Sequence, residues 1–239
     1  MRKQDLWLCV WLLLIVGGLR AEASPELAVL DQARTLEGDV RVQSLIEVWN
    51  EGELVRSSLY EVYVGSDRRS LALAKSGREA GQKVLMLDDQ FWLFLPMSQR
   101  PIRITPMQKM LGDASVGDIS SLRWQEDYRI MDRQTNGLTQ WLTLEAVGAG
   151  LSYQRIELHI RTDGFAPLNA RFYLTSGKLA KTATFELSED DGDLMVTSMT
   201  LTDEVVGDEV TRIHYQSVTP MQIPERWFSP AFLARNPLN

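Results

Sequence analysis

The stretch Val84-Leu-Met-Leu-Asp-Asp-Gln-Phe-Trp-Leu-Phe-Leu-Pro96 predicts a pair of short antiparallel strands. Two apolar segments, residues 83–87 and 90–95, flank the acidic pair Asp88-Asp89, which is typical of a turn. In the second segment, apolar side chains fall on both sides of the strand. An antiparallel sheet with one face in water would leave one of these sets exposed. We therefore expect that a helix covers the second face or that this face lines an apolar cavity, although simple core packing would explain any single residue.

The same short-strand pattern extends in both directions from this stretch. Upstream, apolar and polar residues alternate over 40–48, and a turn leads into a second strand over 54–64. Downstream, Asn136-Gly137 separates two alternating segments and is a strong hairpin signal, since both residues tolerate positive φ. Glycine-containing turns continue to a last strand over 209–218. The sequence thus predicts a mainly β protein of about eleven strands, arranged as one long bent antiparallel sheet or an incomplete barrel.

Three segments depart from the strand pattern. Ser24 as N-cap, proline at the first helical position and apolar residues at three-residue spacing predict a helix over 25–36. Residues 106–122 are rich in methionine and interrupted by glycine, which indicates short helical turns, and residues 224–233 form a short aromatic piece. Both pieces could cover an open end of the sheet. No repeat is evident, so we expect residues 24–239 to form one domain.

The N-terminus predicts export. Two basic residues precede an apolar run over 6–19, and Ala21-Glu-Ala23 provides a cleavage site, which is the order found in a signal peptide over residues 1–23. A transmembrane anchor is the alternative, but a run of about 14 residues is short against the roughly 20 that span a bilayer. Cys9 lies inside this run beside bulky residues, so no lipid anchor is expected. Cleavage would leave an exported domain without thiols or disulfides.

Composition and motifs argue against several functions. The formal net charge of −7 disfavours nucleic acid as a partner, because its phosphate backbone attracts basic surfaces. His159 and His214 stand on separate strands without further ligands at suitable spacing, so no metal site is expected. No catalytic elbow, phosphate loop or dinucleotide motif is present, so we expect neither catalytic residues nor a cofactor. An envelope enzyme is the least favoured alternative.

The opening stretch and the residues that follow it carry a family resemblance. After residues 84–96 come Pro101-Ile-Arg-Ile-Thr105, Leu111-Gly-Asp113 and Gly117-Asp-Ile119. This order resembles the outer-membrane lipoprotein-sorting proteins, relatives of the LolA periplasmic carrier. The resemblance implies an unclosed antiparallel β-barrel with an N-terminal helix, short lid helices and an apolar interior that accepts acyl chains. By position, the resemblance assigns Trp92 and Pro96 to the motif strand and Arg103 to the next strand. It assigns three residues to the lid, namely Gly112, Gly117 and Asp118.

Lipid contacts are expected from apolar residues of the motif strand and the methionine-rich segment, namely Phe91, Leu93, Leu95, Met107, Met110 and Leu111. Unbranched thioethers repack easily around variable apolar partners. An acyl chain of about 15 methylenes loses roughly 12 kcal/mol on entering water, so a carrier must enclose it almost completely. The tail over 227–239 departs from the family pattern and leaves the covering of the barrel mouth open.

The favoured function is a periplasmic carrier or chaperone for acylated lipoproteins or other lipid-like cargo. A soluble carrier has no energy source of its own, so an inner-membrane transporter is expected to load it and an acceptor to unload it. The alternative is an accessory or sensor module of an envelope transporter complex, which binds a membrane protein without ferrying anything. We expect a monomer in either case.

Overall fold

The computed structural model describes residues 24–34, 38–98, 100–105, 107–111, 114–115, 118, 123–148, 151–190, 193–205, 209–236 and 238. The predicted signal peptide lies outside the described residues. Among the helices that the structure describes, none is long and apolar enough to cross a membrane.

The described elements are mostly strands. The helices are α1 (Pro25–Arg34), α2 (Trp124–Asp127), a 3₁₀ helix (Glu225–Phe228) and α3 (Pro230–Arg235). The strands are β1 (Val40–Asn50), β2 (Glu53–Gly65), β3 (Arg69–Ala74), β4 (Lys83–Leu87), β5 (Gln90–Phe94), β6 (Ile102–Ile104), β7 (Lys109–Leu111), β8 (Ala114–Ser115), β9 (Tyr128–Asn136), β10 (Thr139–Ala146), β11 (Arg155–Arg161), β12 (Pro167–Tyr173), β13 (Leu179–Asp190), β14 (Asp193–Asp203) and β15 (Glu209–Pro220).

One antiparallel sheet of thirteen strands forms the body of the described structure. Its order is β6-β5-β4-β3-β2-β1-β15-β14-β13-β12-β11-β10-β9, and its two edge strands, β6 and β9, do not pair with each other. The predicted unclosed antiparallel architecture is therefore confirmed. The main sheet has thirteen strands, against the expected number of about eleven.

Local sequence explains the turns between these strands. Asn50 pairs with Glu53, and the two residues between them, Glu51 and Gly52, both have positive φ (49° and 83°), as in a type I′ turn. The hairpin expected at Asn136-Gly137 is present, but Asn136 pairs with Thr139, so the turn residues are Gly137 and Leu138. Of these two, Gly137 alone has a positive φ, of 62°, which suits the first central position of a type II′ turn.

One face of the sheet, here called the inner face, packs against the covering elements α1, β7–β8 and α2. Leu27 and Leu30 of α1, Ala114 of β8 and Trp124 of α2 belong to the same buried cluster as the inner-face residues of the sheet. A short helix, α2, is thus among the covering elements. Within residues 106–122, where short helical turns were expected, the structure describes the β7–β8 hairpin and a helical residue at Asp118. We call β7, β8 and Asp118 the lid strap.

The other face, here called the outer face, is covered at β2–β5 by the C-terminal tail. Phe228 and Leu233 of the tail pack in one cluster with Leu71, Leu85 and Phe94 of the sheet. Lys83 donates hydrogen bonds from Nζ to the carbonyl oxygens of the last turn of α3 and of the residue after it, at 3.1 and 3.2 Å. The tail therefore covers the outer face of the sheet. The first alternative for β5 is realised, since the elements of the tail cover its outer side.

Candidate functional site

The inner side of the sheet is an apolar interior closed by the covering elements. The sheet contributes a continuous set of buried aliphatic and aromatic side chains: Val42, Ile46, Leu142, Leu144, Ile156, Leu158, Phe185, Leu201 and Ile213. Trp124 of α2 is fully buried among them and meets Phe185 edge to face, with ring centroids 6.3 Å apart. In this structure the interior is occupied by the protein's own side chains.

A buried carboxylate of the lid strap lies within this apolar surface. Asp118 accepts hydrogen bonds from Lys181 Nζ of β13, from Tyr153 Oη at 2.9 Å, and from Ser115 N and Oγ at 2.9 and 2.7 Å. The side chains of Asp118 and Lys181 are 3% and 4% exposed. Buried charges persist when they are paired and hydrogen-bonded, and here four donors converge on one carboxylate.

The Tyr153 hydroxyl remains a donor in this cluster. Burial and the charge of Asp118 raise the pKa of Tyr153 well above its ordinary value, so the phenol stays protonated. Tyr153 is itself held by Tyr128, whose hydroxyl donates to the Tyr153 carbonyl oxygen at 2.9 Å. Lys181 thus comes from β13 and Tyr153 from the connection between β10 and β11, whereas Asp118 and Ser115 belong to the lid strap.

A second pair of buried charges joins α1 to α2. Asp31 accepts hydrogen bonds from the backbone N–H groups of Trp124 and Gln125, at 3.0 and 2.9 Å. Arg34 lies 3.6 Å from Asp31 and places its guanidinium 3.6 Å from the centroid of the Trp124 ring. Burial raises the pKa of Asp31 and lowers the pKa of Arg34. Burial also raises the pKa of Tyr215, which lies within electrostatic reach of both Arg34 and Asp118.

Ion pairs at the rim tie the covering helices to the sheet. Arg68, in the β2–β3 turn, contacts Asp127 at 2.9 Å and Glu126 at 3.1 Å, and Glu126 also pairs with Arg123. At the other end, Glu26 of α1 pairs with Arg133 of the edge strand β9 at 3.4 Å. These contacts are partly exposed, so each of them contributes modestly to stability.

These rim contacts predict a loosening of the covering helices in acid. Burial alone would raise the pKa of Glu126, but hydrogen bonds from Arg123 and Arg68 outweigh it and lower that pKa. The hydrogen bond from Ser24, helped by Arg133, lowers the pKa of Glu26. A carboxyl with a lowered pKa stabilises the fold fully above its unfolded pKa and loses this contribution as the pH falls through the folded pKa.

We therefore expect amide hydrogen exchange in α1 and α2 to speed up below about pH 4 relative to exchange in the central strand β15. Each measured rate is corrected for the intrinsic pH dependence of exchange. Glu126→Gln should remove most of the pH-dependent loosening of α2. Equal pH dependence of the wild type and this variant would show that the rim pairs do not hold the helix.

The structure distributes the expected lipid-contact residues over different environments. Phe91 and Leu93 lie on the inner face of β5, packed with Val84 and Met86 in a small cluster that meets the main one at Ala72. Leu95 and Met107 are 36% and 37% exposed. Met110 and Leu111 belong to β7, where the structure describes the backbone and not the side chains of these residues.

The motif residues have mainly architectural contacts. Trp92 lies on the outer face, where Arg103 stacks 4.6 Å from its ring centroid and also donates a hydrogen bond to Gln90. Pro96 packs against Gly81, which has a positive φ of 82°. Gly112 and Gly117 lie outside the described residues. Asp118 is the motif residue that the structure places in the interior.

Sequence analysis missed the groups that surround Asp118 and Asp31. Lys181 begins an inward-facing series with Ala183 and Phe185, so a lysine on the apolar side of a strand was the available signal. Arg34 likewise follows Leu27 and Leu30 by seven and four residues, which puts it on the apolar face of α1. Neither residue was singled out from the sequence.

The two histidines lie apart from this interior. His159 stacks on Trp141 with ring centroids 4.6 Å apart, and His214 Nε2 lies 3.3 Å from a carboxylate oxygen of Glu47. Over the part of the chain that the structure describes, no three His, Cys, Asp or Glu side chains are grouped as metal ligands would be.

Comparison with known proteins identifies the architecture. A family model with the description "Uncharacterized protein" matches residues 65–235. Comparison with curated proteins finds no match. A solved LolA superfamily protein from Nitrosomonas europaea superimposes with a TM-score of 0.78 at 23% identity, over 87% of this chain and 97% of its own.

Two further solved structures agree. A domain described as an outer-membrane lipoprotein-sorting protein, from Vibrio parahaemolyticus, gives a TM-score of 0.70 at 20% identity, over 88% of this chain and 97% of its own. A DUF1329 family protein from Desulfovibrio piger gives 0.68 at 20% identity, over 85% and 94%. At sequence identities of 20–23%, the structural likeness establishes the fold alone. For the fold, it confirms the resemblance seen in the sequence.

Proposed function

Since this chain belongs to the family of uncharacterized proteins whose model matches residues 65–235, and since its fold is that of the LolA superfamily, we propose that it is a periplasmic carrier of acyl chains. The cargo is a lipoprotein or another lipid-like molecule on its way towards the outer membrane. The description of the similar Vibrio domain as a lipoprotein-sorting protein supports this cargo class.

The observation that carries the proposal is an apolar inner face covered by elements that are not part of the main sheet. The β7–β8 hairpin pairs with itself, and α1 is joined to the sheet by side-chain packing and by an ion pair at the rim, whereas α2 continues into β9 and accepts a backbone hydrogen bond from Val147 at Asp127. Lifting α1 and the hairpin would expose the inner face without breaking any backbone ladder of the thirteen-stranded sheet. An acyl chain that took their place would keep this apolar surface away from water.

The inner face of β5 is a suitable place for the first contacts with the chain. Phe91, Leu93 and Met86 line it at one end of the sheet, where β6 forms a short and mostly exposed edge. We propose that the predicted lipid-contact residues act here and that the protein works as a non-catalytic monomer. An inner-membrane transporter would load it, and the signal peptide predicted over residues 1–23 would deliver it to the periplasm.

Lipid mass spectrometry of the purified protein tests the proposal. Mature protein, residues 24–239, is isolated from envelope extracts under native conditions, denatured and extracted, next to a protein of similar charge that was treated identically. We expect acyl-containing species in stoichiometric amount. Their absence, together with failure to take up lipid from vesicles, would rule out the carrier function.

A charge on the inner face of β5 should reduce cargo binding. Leu93→Asp introduces a carboxylate into the partly buried cluster of Phe91 and Val84, and we expect bound acyl lipid to fall at least about tenfold, because an unpaired charge is poorly accommodated beside an acyl chain. The matched control is Leu54→Asp, since Leu54 is 48% exposed. Equal lipid content in the two variants, both folded by circular dichroism, would exclude this part of the inner face from cargo binding.

A second candidate function rests on the interior being filled by the protein's own side chains. Trp124 and α1 could be permanent core, and the protein would then be an accessory module that binds a membrane protein of a transporter complex. Cross-linking in intact envelopes distinguishes the two. One stoichiometric membrane-protein partner and no bound lipid would favour the module.

A further inference from the structure

Two hydrogen-bond donors lie in the apolar interior without an acceptor. They are the hydroxyl group of Tyr60 and the indole Nε1–H of Trp124, and neither has a hydrogen-bond partner within the described structure. Tyr60 is 1% exposed, Trp124 is fully buried, and both belong to the main buried cluster. Buried donors in native proteins are nearly always paired, because leaving one unpaired is unfavourable. Two exceptions on one apolar surface suit an acceptor that a bound molecule supplies.

Both donors stand on elements that belong to the frame of the fold. Tyr60 lies on the inner face of β2, where it pairs with Ser44 of β1 and Ala74 of β3. Trp124 is the first residue of α2, which continues into β9 and accepts a backbone hydrogen bond from the residue that follows β10. A molecule that enters the interior would therefore meet both donors in fixed positions.

The surroundings of the two donors favour a neutral acceptor over an anion. Burial, helped by the negative charge of Glu79, raises the pKa of Tyr60 well above its ordinary value, so the hydroxyl group keeps its proton. The same negative charge would repel a carboxylate or a phosphate. Beside the Trp124 ring, the charge of Arg34 is balanced by Asp31 at 3.6 Å. An uncharged oxygen atom is thus the acceptor that suits this interior.

The carbonyl group of an acyl linkage provides such an oxygen atom. Every ester- or amide-linked acyl chain carries one carbonyl group at the end of its apolar part. Burying a carbonyl group without a hydrogen bond is costly, so a purely apolar cavity would keep this end of the chain near water. Donors within the interior remove that cost and allow the linkage itself to be enclosed.

We propose that Tyr60 and Trp124 donate hydrogen bonds to the carbonyl oxygens of the cargo, and that the carrier selects ester- and amide-linked acyl chains over alkyl chains of the same length. This inference rests on the proposed carrier function and names its substrate class. The apolar inner face provides affinity for any long chain, and the two donors provide the discrimination.

Competition between an ester lipid and an ether lipid tests the proposal. Purified protein freed of lipid is incubated with vesicles that contain equal amounts of dioleoylphosphatidylcholine and its di-O-octadecenyl ether analogue. The protein is then re-isolated, and both lipids are quantified by mass spectrometry. The two lipids share their headgroup and chain length and differ in their carbonyl groups. We expect a preference of about tenfold for the ester lipid, as one hydrogen bond to an otherwise unpaired buried donor provides.

Conservative variants locate the preference. Tyr60→Phe/Trp124→Phe removes both donors, and the ratio of ester to ether lipid should fall to near one while total lipid uptake persists. Tyr63→Phe/Trp141→Phe makes the same two changes on the outer face, where Tyr63 donates to Glu61 and Trp141 stacks on a histidine. This control should leave the ratio unchanged.

The stability of the lipid-free protein separates a binding role from a structural one. Because the Tyr60 hydroxyl group has no partner within the described structure, Tyr60→Phe should leave the midpoint of urea denaturation unchanged or raise it. Tyr128→Phe, which removes a hydroxyl group that donates to the Tyr153 carbonyl oxygen, should lower the midpoint. A decrease as large for Tyr60→Phe as for Tyr128→Phe would overturn the inference, since the hydroxyl group of Tyr60 would then be structural.

The outcomes separate the inference from the function on which it rests. Uptake of the ester and ether lipids in equal amounts would overturn the inference and leave the carrier function standing. An ester preference that persists in Tyr60→Phe/Trp124→Phe would also overturn it. Uptake of neither lipid would contradict the carrier function itself.

Discussion

Asp118→Ala is expected to lower the free energy of unfolding by about 3–5 kcal/mol, because it breaks the buried ion pair with Lys181 and removes the acceptor that four donors share. The substitution also leaves the hydroxyl of Tyr153 and the backbone N–H of Ser115 without the acceptor that they have now. Urea denaturation of the mature protein, followed by circular dichroism, measures the loss.

Two further variants serve as controls for the loss of stability in Asp118→Ala. Asp118→Asn keeps the size of the side chain and one oxygen acceptor, so it should cost less than Asp118→Ala, because the donors of Tyr153 and Ser115 retain a possible partner. Glu145→Ala breaks the exposed pair of Arg129 and Glu145, whose atoms are 2.9 Å apart, and should cost less than about 1 kcal/mol. A loss for Asp118→Ala no larger than that for Glu145→Ala would show that the buried cluster does not stabilise the closed lid.

Phe228→Ala should lower the free energy of unfolding by about 3–5 kcal/mol, the usual cost of truncating a buried phenylalanine. The Phe228 side chain packs directly on the backbone of β2, so closely that a Cβ added at Gly65 would lie 2.7 Å from its Cζ. Arg69 places its guanidinium 4.7 Å from the ring centroid and pairs with Glu225 of the same tail. Thermal and urea unfolding both report the loss.

A double-mutant cycle with Gly65 isolates this contact. Gly65→Ala alone should cost about 1–3 kcal/mol, because the ring cannot move without disturbing the tail. In the Phe228→Ala background the same methyl group meets empty space, so its cost should nearly vanish. Additive losses would mean that the tail does not sit over Gly65 in solution.

The alternation of apolar and polar residues was sufficient to predict most of the main sheet. In β1 the buried and half-buried positions alternate over nearly its whole length, as the period of two requires. The lid strap was harder, because strands of two or three residues have too few positions to show a period. The position of the tail was also unpredictable, since its apolar residues suit any exposed apolar face.

The apolar part of the candidate site was predictable from the sequence, and the buried charged part was not. Phe91 and Leu93 were recognised because their strand is apolar on both sides. The pairing of Lys181 with Asp118 joins residues 63 positions apart, and no local pattern encodes such a contact. A bulge near Ala180, where Tyr173 pairs with Leu179 and Phe172 pairs with Lys181, further hid the inward direction of the lysine.

The pairing of β1 with β15 has a consequence for folding kinetics. Strands β1–β6 and β9–β15 are each built from consecutive hairpins, which close short loops and can form quickly. The seam between the two halves brings Val40 to Pro220, so it requires almost the entire chain. Because contacts of such long sequence separation slow folding, joining this seam should be the slow step. A chain threaded through a membrane from its N-terminus would then hold two half-sheets with open edges, dependent on chaperones, until its last strand arrives.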